Sequence, residues 1–530
     1  MTSRPDPVDR RTVLRTTGLA AAASVAATSG LLAPLAAGGP AVAAPTLVRG
    51  GRPRLTHGVQ SGDVRAGGAV VWSRADRRSR LMVEVSRDPR FRGARTVRGP
   101  VVGPGSDFTG HVDLSGLPRG TELHYRVRAV DLDDPRRASE PVVGRLRTVP
   151  GRRDDVRFLW SGDIAGQGWG VNPEYGGFRI ADAMTSRDAD FFLCSGDYVY
   201  ADGPVAATVA LPDGSTWRNE TSEAKAKVAE TLAEFRGQYA YNLTADNWRR
   251  FLARTPQVVQ WDDHEVTNNW YPGEILDDDR YRVKDVDTLA RRGHRAFHEW
   301  TPLSDVSPDP DGRIYRVIHY GPLLDVFVLD MRTFKNPNTP NLEPAEREGV
   351  LGRRQTRWLL RELERSTATW KVVAADLPIG LLVPDGEDWE GIANGDDGAP
   401  LGREQGIATV LAGLQRLGIR NHVWLTADVH HTAAHHYSPD RAAFQAFDPF
   451  WEFVSGPLNA GAFPAADLDG TFGPRKDFVS SPEAANVSPA EGFQFFGEVE
   501  IDAGSRDLTV HLRDVDGRSI YSRTLRARRR

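Results

Sequence analysis

The hydrophobic pattern divides the chain into two regions. In residues 55–148, short runs of partly alternating apolar and polar residues are separated by clusters of Gly, Pro and Asp, which is typical of half-buried strands. The clearest runs are 69–72, 81–85 and 123–130. About seven such strands in about 95 residues predict an all-β, immunoglobulin-like sandwich.

The pattern changes at residue 156, where continuous apolar runs begin to alternate with helical patterns. The apolar runs are 158–160, 191–194, 257–261, 324–329, 370–375 and 422–426. Helices are predicted over 224–241, 288–300 and 353–364, the last with Trp358, Leu359 and Leu363 on one face. Strands that alternate with helices predict a layered α/β domain. Beyond residue 490, the runs 495–501 and 508–512 predict a hairpin.

The N-terminal segment has the features of a twin-arginine export signal. Arg10 and Arg11 precede an Ala-rich apolar run over 19–37, and an A-x-A cleavage pattern follows at 41–43. The alternative is a membrane anchor, but the run is rich in Ala and Gly rather than Leu. We therefore expect a secreted, extracellular protein that uses the twin-arginine machinery and keeps no stable membrane anchor after cleavage. Cleavage removes four arginines and two aspartates, which takes the net charge from −4 to −6.

Composition excludes several classes of protein and of site. With 40% hydrophobic and 26% charged residues, the chain is not a collagen, a long disordered chain or a polytopic membrane protein. Its single cysteine, Cys194, excludes a disulfide framework and a cysteine-rich zinc or iron–sulfur site. The acidic balance and the lack of a basic stripe argue against a nucleic-acid-binding module. Any metal must therefore be held by Asp, Asn, His, Tyr or Glu.

Four of the apolar runs end in polar clusters, which are 161–163, 195–200, 262–270 and 426–431. In open α/β sheets, ligands bind beyond the carboxyl ends of the strands, so these clusters can converge. A Gly-Asp pair such as 162–163 could also be an ordinary turn. The acidic run 262–265 is the strongest signal, because four adjacent ionisable residues need partners if they are buried. Oxygen-rich ligands suit Mn, Fe, Ca or Mg better than zinc, and two metals bridged by one carboxylate commonly support attack at phosphorus.

Together these motifs resemble those of the PhoD-like alkaline phosphatases of the calcineurin-like metallophosphoesterase superfamily, and the resemblance extends over nearly the whole mature chain. The motifs that carry the resemblance are 57–63 with 70–73, 196–200, 261–269, 329–332, 427–430 and 451–456. The resemblance implies a secreted, actinobacterial-type member with an α/β (α+β sandwich) metallophosphoesterase-like core and an N-terminal immunoglobulin-like sandwich. The predicted boundaries are a signal at 1–43, the sandwich at 44–150, the catalytic domain at 151–490 and a C-terminal hairpin packed on it at 491–530.

The resemblance also implies a set of metal ligands, which are Asp163, Asp197, Tyr200, Asp263, Asn269, Asp428 and His430. Asp197 would be the bridging carboxylate and Tyr200 a phenolate ligand. His264 would face the phosphate. Asp263 and Asn269 compete as ligands within one loop, and that choice stays open.

One departure from the family pattern concerns the first loop. Many members supply a cysteine thiolate there to an iron, whereas this chain has Asp163 as the natural substitute. Cys194 lies inside an apolar strand and is expected to be an inert buried thiol. We therefore expect two or more metal ions, Ca with Fe or Mn, and leave their identities open.

Arg332 is predicted as a catalytic residue together with His264, and the other candidates are weaker. Arg332, and less strongly the pair Arg291 and Arg292, could grip phosphate oxygens, because a guanidinium matches them bidentately; for the pair, a solvated helix surface is at least as good an interpretation. Asp376 is a weaker metal-ligand candidate, and His431, His435 and His436 are candidates for contacts with the ligands or the substrate.

The predicted function is a secreted metal-dependent phosphoesterase that cleaves phosphate esters with a metal-activated hydroxide. One alternative is a phosphodiesterase or phospholipase D-like enzyme of the same fold. Another, from a different class, is a catalytically dead secreted protein that binds wall polymer. The complete ligand clusters argue against the second alternative.

Overall fold

The computed structural model describes residues 51–151, 153–304, 313–344 and 349–528. The predicted export signal at 1–43, with its arginine pair, lies outside these residues. From Arg52 onward the chain forms one compact unit. Within the described ranges, no helix combines the length and the apolar character needed to cross a membrane.

The first part of the chain is all-β, as the alternating pattern predicts. Its strands are β1 (Leu55–Arg65), β2 (Gly68–Ala75), β3 (Ser79–Ser86), β4 (Arg95–Val102), β5 (Thr109–Ser115), β6 (Glu122–Val130) and β7 (Val142–Arg147). Strands β4, β3, β6 and β7 form one antiparallel sheet in that order. Strands β1, β2 and β5 form the other layer, and both layers contribute to one apolar core.

The rest of the chain alternates strands with helices. The strands are β8 (Val156–Ser161), β9 (Phe191–Ser195), β10 (Thr208–Ala210), β11 (Thr216–Arg218), β12 (Gln257–Gln260), β13 (Arg316–His319), β14 (Leu324–Val328), β15 (Trp370–Ala374), β16 (Pro384–Asp385), β17 (Asp388–Trp389), β18 (His422–Thr426), β19 (Thr432–Tyr437), β20 (Phe450–Val454), β21 (Pro474–Ser480), β22 (Phe495–Ile501), β23 (Leu508–Asp514) and β24 (Ser519–Leu525). The α-helices are α1 (Ile180–Ser186), α2 (Leu232–Asn242), α3 (Asp246–Arg254), α4 (Val286–Trp300), α5 (Gly352–Arg365) and α6 (Glu404–Arg416).

Two large sheets organise the molecule. The nine-stranded sheet has the order β24-β23-β22-β8-β9-β12-β1-β2-β5, and β8, β9, β12 and β1 run parallel in its centre. The seven-stranded sheet has the order β13-β14-β15-β18-β20-β19-β21, with β14, β15, β18 and β20 parallel. The carboxyl ends of parallel strands in one sheet share an edge, so the loops after β8, β9 and β12 lie together, and so do those after β15 and β18.

The two sheets pack against each other and carry helices on their outer faces. Along β8 and β9, Trp160 and Leu193 belong to the core between the sheets, whereas Leu159 and Cys194 belong to the cluster that α2, α3 and α4 cover. Helices α5 and α6 cover the outer face of the other sheet in the same way. The predicted α/β sandwich core with an N-terminal sandwich is therefore confirmed.

The nine-stranded sheet crosses the predicted boundary at residue 150. Strand β1 pairs in parallel with β12 at Gly62 and Gln257. A Cβ at position 62 would lie 2.7 Å from the Gln257 carbonyl oxygen and 2.6 Å from that of Pro302, so the close approach requires glycine. At the other edge, the predicted hairpin forms from β22 and β23, and β24 adds a third strand.

One helix boundary differs from its prediction. The helix predicted over 224–241 begins at residue 232, because Thr231 caps it. Its side chain accepts from the Glu234 backbone N–H, while the Glu234 side chain accepts from the Thr231 N–H. This reciprocal capping box ends the preceding loop, in which residues 223–225 form a single 3-10 turn.

Candidate metal centre

The loops that follow the central strands hold most of the predicted ligands in unusual backbone conformations. Asp163, Asp197, Asn269, Asp428 and His430 have φ angles of 58°, 49°, 56°, 66° and 55°. Residues other than glycine adopt this left-handed region only when their surroundings enforce it, and such residues cluster at functional sites. The loops therefore hold their side chains in imposed positions.

The structure brings the predicted carboxylates and imidazoles together in three overlapping groups. In each group, one ligand atom from every residue lies within 4.8 Å of the others. The groups are Asp163 with Asp197 and His430, Asp197 with Asp263 and His264, and Asp262 with Asp263 and Asp428. Because Asp197 and Asp263 each belong to two groups, either carboxylate could bridge neighbouring cations.

Several carboxylate oxygens of this cluster have no hydrogen-bond partner, which indicates whether the cluster suits metal ions. Both oxygens of Asp163, Oδ2 of Asp262, Oδ1 of Asp263 and Oδ2 of Asp428 are buried without a hydrogen-bond partner in the described chain. Burial and, next, nearby carboxylates raise the pKa of Asp163, Asp197 and Asp428 well above the ordinary value. An unpaired buried acceptor is costly. Cations would satisfy these oxygens and keep the carboxylates ionised, so the donor set fits hard metal ions.

His430 is oriented to offer its Nε2 lone pair. Its Nδ1 lies against the carbonyl oxygen of Gly461, which can only accept, so Nδ1 carries the proton. Nε2 then accepts from the Tyr200 hydroxyl at 2.8 Å and lies 3.6 Å from Asp163 Oδ1. Burial lowers the pKa of His430 to about 4, so the ring is neutral. These features suit a metal ligand.

His264 has the opposite character. Its Nδ1 lies 2.7 Å from Oδ1 of Asp202, and its Nε2 lies 3.9 Å from Oδ2 of Asp263. Burial opposes the charged ring, but Asp202 and then Asp263 outweigh it and raise the pKa of His264 to about 9. Asp202 escaped the sequence analysis, although it follows Tyr200 by two residues in the same loop.

Asp263 and Asn269 lie side by side. The Asn269 backbone N–H donates to Oδ2 of Asp263 at 2.6 Å. The Asn269 amide donates to Asp385 at 3.0 Å, and Asn338 donates to both Asp385 and the Asn269 carbonyl. An amide held through its NH₂ group keeps its oxygen as an acceptor. The hairpin of β16 and β17, which carries Asp385, thus fixes the orientation of this candidate ligand.

Glu265 ties together the loops that carry these groups. Its buried carboxylate accepts from the backbone N–H groups of Asp197 at 3.2 Å, Tyr198 at 2.7 Å and Asp262 at 2.7 Å. Burial raises the pKa of Glu265 to about 8, although the backbone donors favour the carboxylate. Glu265 therefore sets the spacing between two of the ligand-bearing loops.

Arg332 occupies a different position from the one predicted. Its side chain has no exposed surface. Nε donates to Asp262 and Nη1 to Glu390, while Nη2 lies 3.5 Å from Asp263 Oδ1 and 3.7 Å from Asp428 Oδ1. The guanidinium is thus the buried counter-charge of the carboxylates and does not line the cavity in front of them, where a phosphate would lie.

The weaker candidates are mostly remote from the cavity. Arg291 and Arg292, on α4, bond to Thr288 and to the Glu230 carbonyl. His435 binds Glu452 at 3.1 Å inside a sheet, and His436 packs on Trp451. Asp376 lies behind the cluster and accepts from Gln260 at 2.8 Å. His431 is the exception, because it lines the cavity.

Cys194 lies within β9 and is fully buried. Its Sγ donates weakly to the Gly196 carbonyl at 3.6 Å, and burial raises the pKa of its thiol well above the ordinary value. The thiol is absent from the three ligand groups. Asp163 stands in the first loop as the sequence shows, belongs to one ligand group with Asp197 and His430, and places its Oδ1 3.6 Å from Nε2 of His430.

A cavity of about 730 Å³ opens in front of the cluster. Asp197, Asp263, His264, Asp428 and His430 form its polar wall. The segments 382–389 and 463–467 supply most of the remaining lining, which is largely apolar (Leu382, Val383, Pro384, Trp389, Phe463, Pro464, Ala465 and Ala466) but includes Asp385 and Asp467. The cavity thus offers a charged reaction side and an apolar side for the rest of a bound molecule.

Comparison with known proteins gives consistent matches. The family model described as PhoD-like phosphatase matches residues 158–512, and that described as PhoD-like phosphatase, N-terminal domain, matches residues 41–150. The alkaline phosphatase D of Bacillus subtilis (strain 168) is 27% identical over 445 residues, which are 77% of this chain and 70% of that protein.

Solved structures agree in fold. A structure of PhoD superposes with a TM-score of 0.66 at 21% identity and covers 91% of this chain and 90% of its own. Purple acid phosphatase PPD1 from yellow lupin seeds has a TM-score of 0.57 at 11% identity, with 90% and 75% covered.

Proposed function

The chain belongs to the PhoD-like phosphatase family, as its motifs suggested, and we propose that its carboxylate cluster is where it hydrolyses phosphate esters. The chain is a metal-dependent phosphoesterase. The observation that carries the location is the set of overlapping ligand groups whose buried oxygens lack partners and which border a cavity. A site of this kind needs cations, and it lies where a substrate can enter.

The proposed ligands are those that the motifs implied, with Asp262 as an addition from the structure. Asp163, Asp197 and His430 would hold one ion, and Asp263 with Asp428 and Asp262 another. Metal ions bound there lower the pKa of a coordinated water and stabilise charge on phosphate oxygens. Oxygen-rich donors favour Ca with Mn or Fe.

The remaining roles belong to the protein's own groups. His264, held by Asp202, which raises its pKa to about 9, faces the cavity, where its ring N–H can stabilise the negative charge of a bound phosphate. Arg332 acts from behind and offsets the repulsion among the carboxylates. Glu265 keeps the ligand-bearing loops in register.

The test is elemental analysis of the natively isolated protein, combined with hydrolysis of p-nitrophenyl phosphate. Asp197→Ala should lose bound metal and nearly all activity, because Asp197 belongs to two ligand groups. Asp279→Ala removes a fully exposed carboxylate and should match the wild type. Full metal content with only a mild loss of rate in Asp197→Ala would contradict the assignment. A wild type that holds metal but hydrolyses nothing would favour the wall-binding alternative.

A phosphodiester is the second candidate substrate, and the apolar wall of the cavity favours it. A diester carries two substituents, and the wall around Leu382, Val383 and Phe463 could accommodate the second one. Comparing kcat/KM for bis(p-nitrophenyl) phosphate and p-nitrophenyl phosphate tests this idea. Diester preference that falls in Leu382→Ser, with monoester hydrolysis retained, would support it. An unchanged ratio would contradict it.

Export through the twin-arginine route is also part of this proposal. It rests on Arg10, Arg11 and the cleavage pattern at 41–43. Replacing both arginines with lysine should retain the precursor inside the cell. Normal secretion of that double variant would contradict the route.

A further inference from the structure

A second set of cavities lies at the opposite edge of the seven-stranded sheet. One cavity of about 800 Å³ and another of about 330 Å³ share Ile419, Arg420, Asn421, Ala527 and Arg528 in their walls, and together we call them the basic cleft. Part of their lining lies at or just before the starts of β15, β18 and β20, and the rest comes from the end of α5, the turn between β22 and β23 and the residues at the end of β24, whereas the metal centre follows β18. Five-residue strands separate the two edges by about 17 Å, so the basic cleft is a site of its own.

The cleft carries an excess of positive charge. Its walls include Lys371, Arg420, Arg506, Arg526 and Arg528. The acidic residues in the same walls are Glu364 and Asp448. Within the described chain, none of the four arginines forms an ion pair with a carboxylate, and all four are exposed. This density of unpaired guanidinium groups contrasts with a protein whose net charge is −4.

The backbone that carries these arginines is held firmly. The Asn421 side chain donates to the Arg528 carbonyl and accepts from the Arg528 N–H, both at 2.9 Å. The Trp370 indole N–H donates to the Arg506 carbonyl at 2.7 Å. Asn421 and Arg506 also have left-handed φ angles of 57° and 66°. Left-handed conformations of this kind are maintained only where the surrounding structure enforces them, so the backbone of the cleft has a defined conformation.

A half-buried imidazole, that of His422, carries a ring nitrogen that is itself buried. Nδ1 of His422, in the wall of the smaller cavity, is buried and has no hydrogen-bond partner in the described residues. Burial, opposed by Asp448 and aided by Lys371 and Arg528, lowers the pKa of His422 to about 4. An unsatisfied polar atom in a cavity wall marks a place where a ligand or water would bind.

We propose that the basic cleft binds a phosphate-rich polyanion, for which inorganic polyphosphate is the probe. Guanidinium groups pair bidentately with phosphate oxygens, and several unpaired arginines along one cleft match several charges on one chain. The cleft would thus keep a polyanion on the protein while the metal centre stays free.

The test measures the binding of dye-labelled inorganic polyphosphate by anisotropy over a series of salt concentrations, while released orthophosphate is monitored. Arg420→Gln/Arg528→Gln should weaken binding at least about tenfold and flatten the salt dependence, since fewer counterions are displaced. Arg87→Gln/Arg90→Gln removes the same charge from an exposed turn of the N-terminal sandwich and should bind as the wild type does. Hydrolysis of p-nitrophenyl phosphate should stay unchanged in both.

Several outcomes would overturn the proposal. Equal losses in the two double variants would show diffuse electrostatic attraction, and no loss in the cleft variant would exclude the cleft. Displacement of polyphosphate by equimolar orthophosphate would indicate a small-anion site. Arg420→Lys/Arg528→Lys keeps the charge but loses the bidentate guanidinium geometry, so its affinity should lie between those of the wild type and the Gln pair; an affinity equal to that of the wild type would show that bidentate guanidinium contacts are not used.

Discussion

Replacing Gly456 with alanine should damage the metal centre without touching a ligand. Gly456 ends the tryptophan-led motif at 451–456, and a Cβ there would lie 2.0 Å from Oδ2 of Asp163, whereas ordinary contact begins at 3.4 Å. The Asp163 backbone has little freedom to retreat, because its carbonyl accepts from the N–H groups of Leu458, Asn459 and Ala460 at 3.1–3.3 Å. The carboxylate must therefore rotate away by more than about 1 Å.

The expected magnitude follows from this displacement. A misplacement of about 1 Å in a reacting constellation costs about 100-fold in rate, equivalent to about 2.7 kcal/mol of transition-state stabilisation. Overpacking adds a loss of about 1–3 kcal/mol in the free energy of unfolding. We expect Gly456→Ala to lower kcat/KM for p-nitrophenyl phosphate by about that factor and to lose part of its bound metal.

A matched variant separates this effect from the general cost of adding a methyl group. Gly406 lies within α6, and its Cβ would meet nothing within 4 Å. Gly406→Ala should keep full activity and gain about 0.5–1 kcal/mol of stability, because alanine loses less entropy in a helix. If Gly456→Ala kept the metal content and kcat/KM of the wild type, the reasoning would be refuted, since metal binding and catalysis would then not depend on the observed position of Asp163.

Three further variants test other contacts. Cys194→Ser should leave metal content unchanged and cost about 1–2 kcal/mol of stability, since it buries a hydroxyl in an apolar strand; loss of metal, measured by elemental analysis, would show that the thiol reaches the site. Glu265→Gln should cost about 2–3 kcal/mol in urea unfolding, because one oxygen cannot replace two as acceptors for three backbone donors, and an unchanged midpoint would contradict this. Asp202→Asn removes the charge that keeps His264 protonated to about pH 9, so the alkaline limb of the kcat/KM profile should move to lower pH; an unmoved limb would exclude His264 as its source.

The features that could be predicted from the sequence are those that depend on a short stretch of residues. Each strand that feeds the cluster ends where an apolar run meets an acidic residue, and both signals lie within a few residues of each other, as with Asp197 after β9. The convergence of these loops then follows from the parallel order of the strands. The sequence also identified Cys194 correctly as a buried thiol, because burial within an apolar strand is a local property.

Long-range pairing escaped prediction. Arg332 was expected to face a phosphate, but its environment is set by Asp262, 70 residues earlier, and by Glu390, 58 residues later. Asp202 was missed because its partner His264 lies 62 residues away. A short stretch of sequence cannot show that two loops distant in the chain will bury a charge between them.

The strand order also has a consequence for biosynthesis. Strand β8 is bordered by β22, and Ser161 bonds to Phe495 across 334 residues of chain. Contacts of such separation form slowly, because the loop between the partners has to close first. During translation, one edge of β8 stays unpaired until β22 has left the ribosome, which requires synthesis of nearly the whole polypeptide. Unpaired strand edges promote aggregation. A chaperone that shields this edge until translation ends would raise the yield of native protein more than one that acts on the early sandwich.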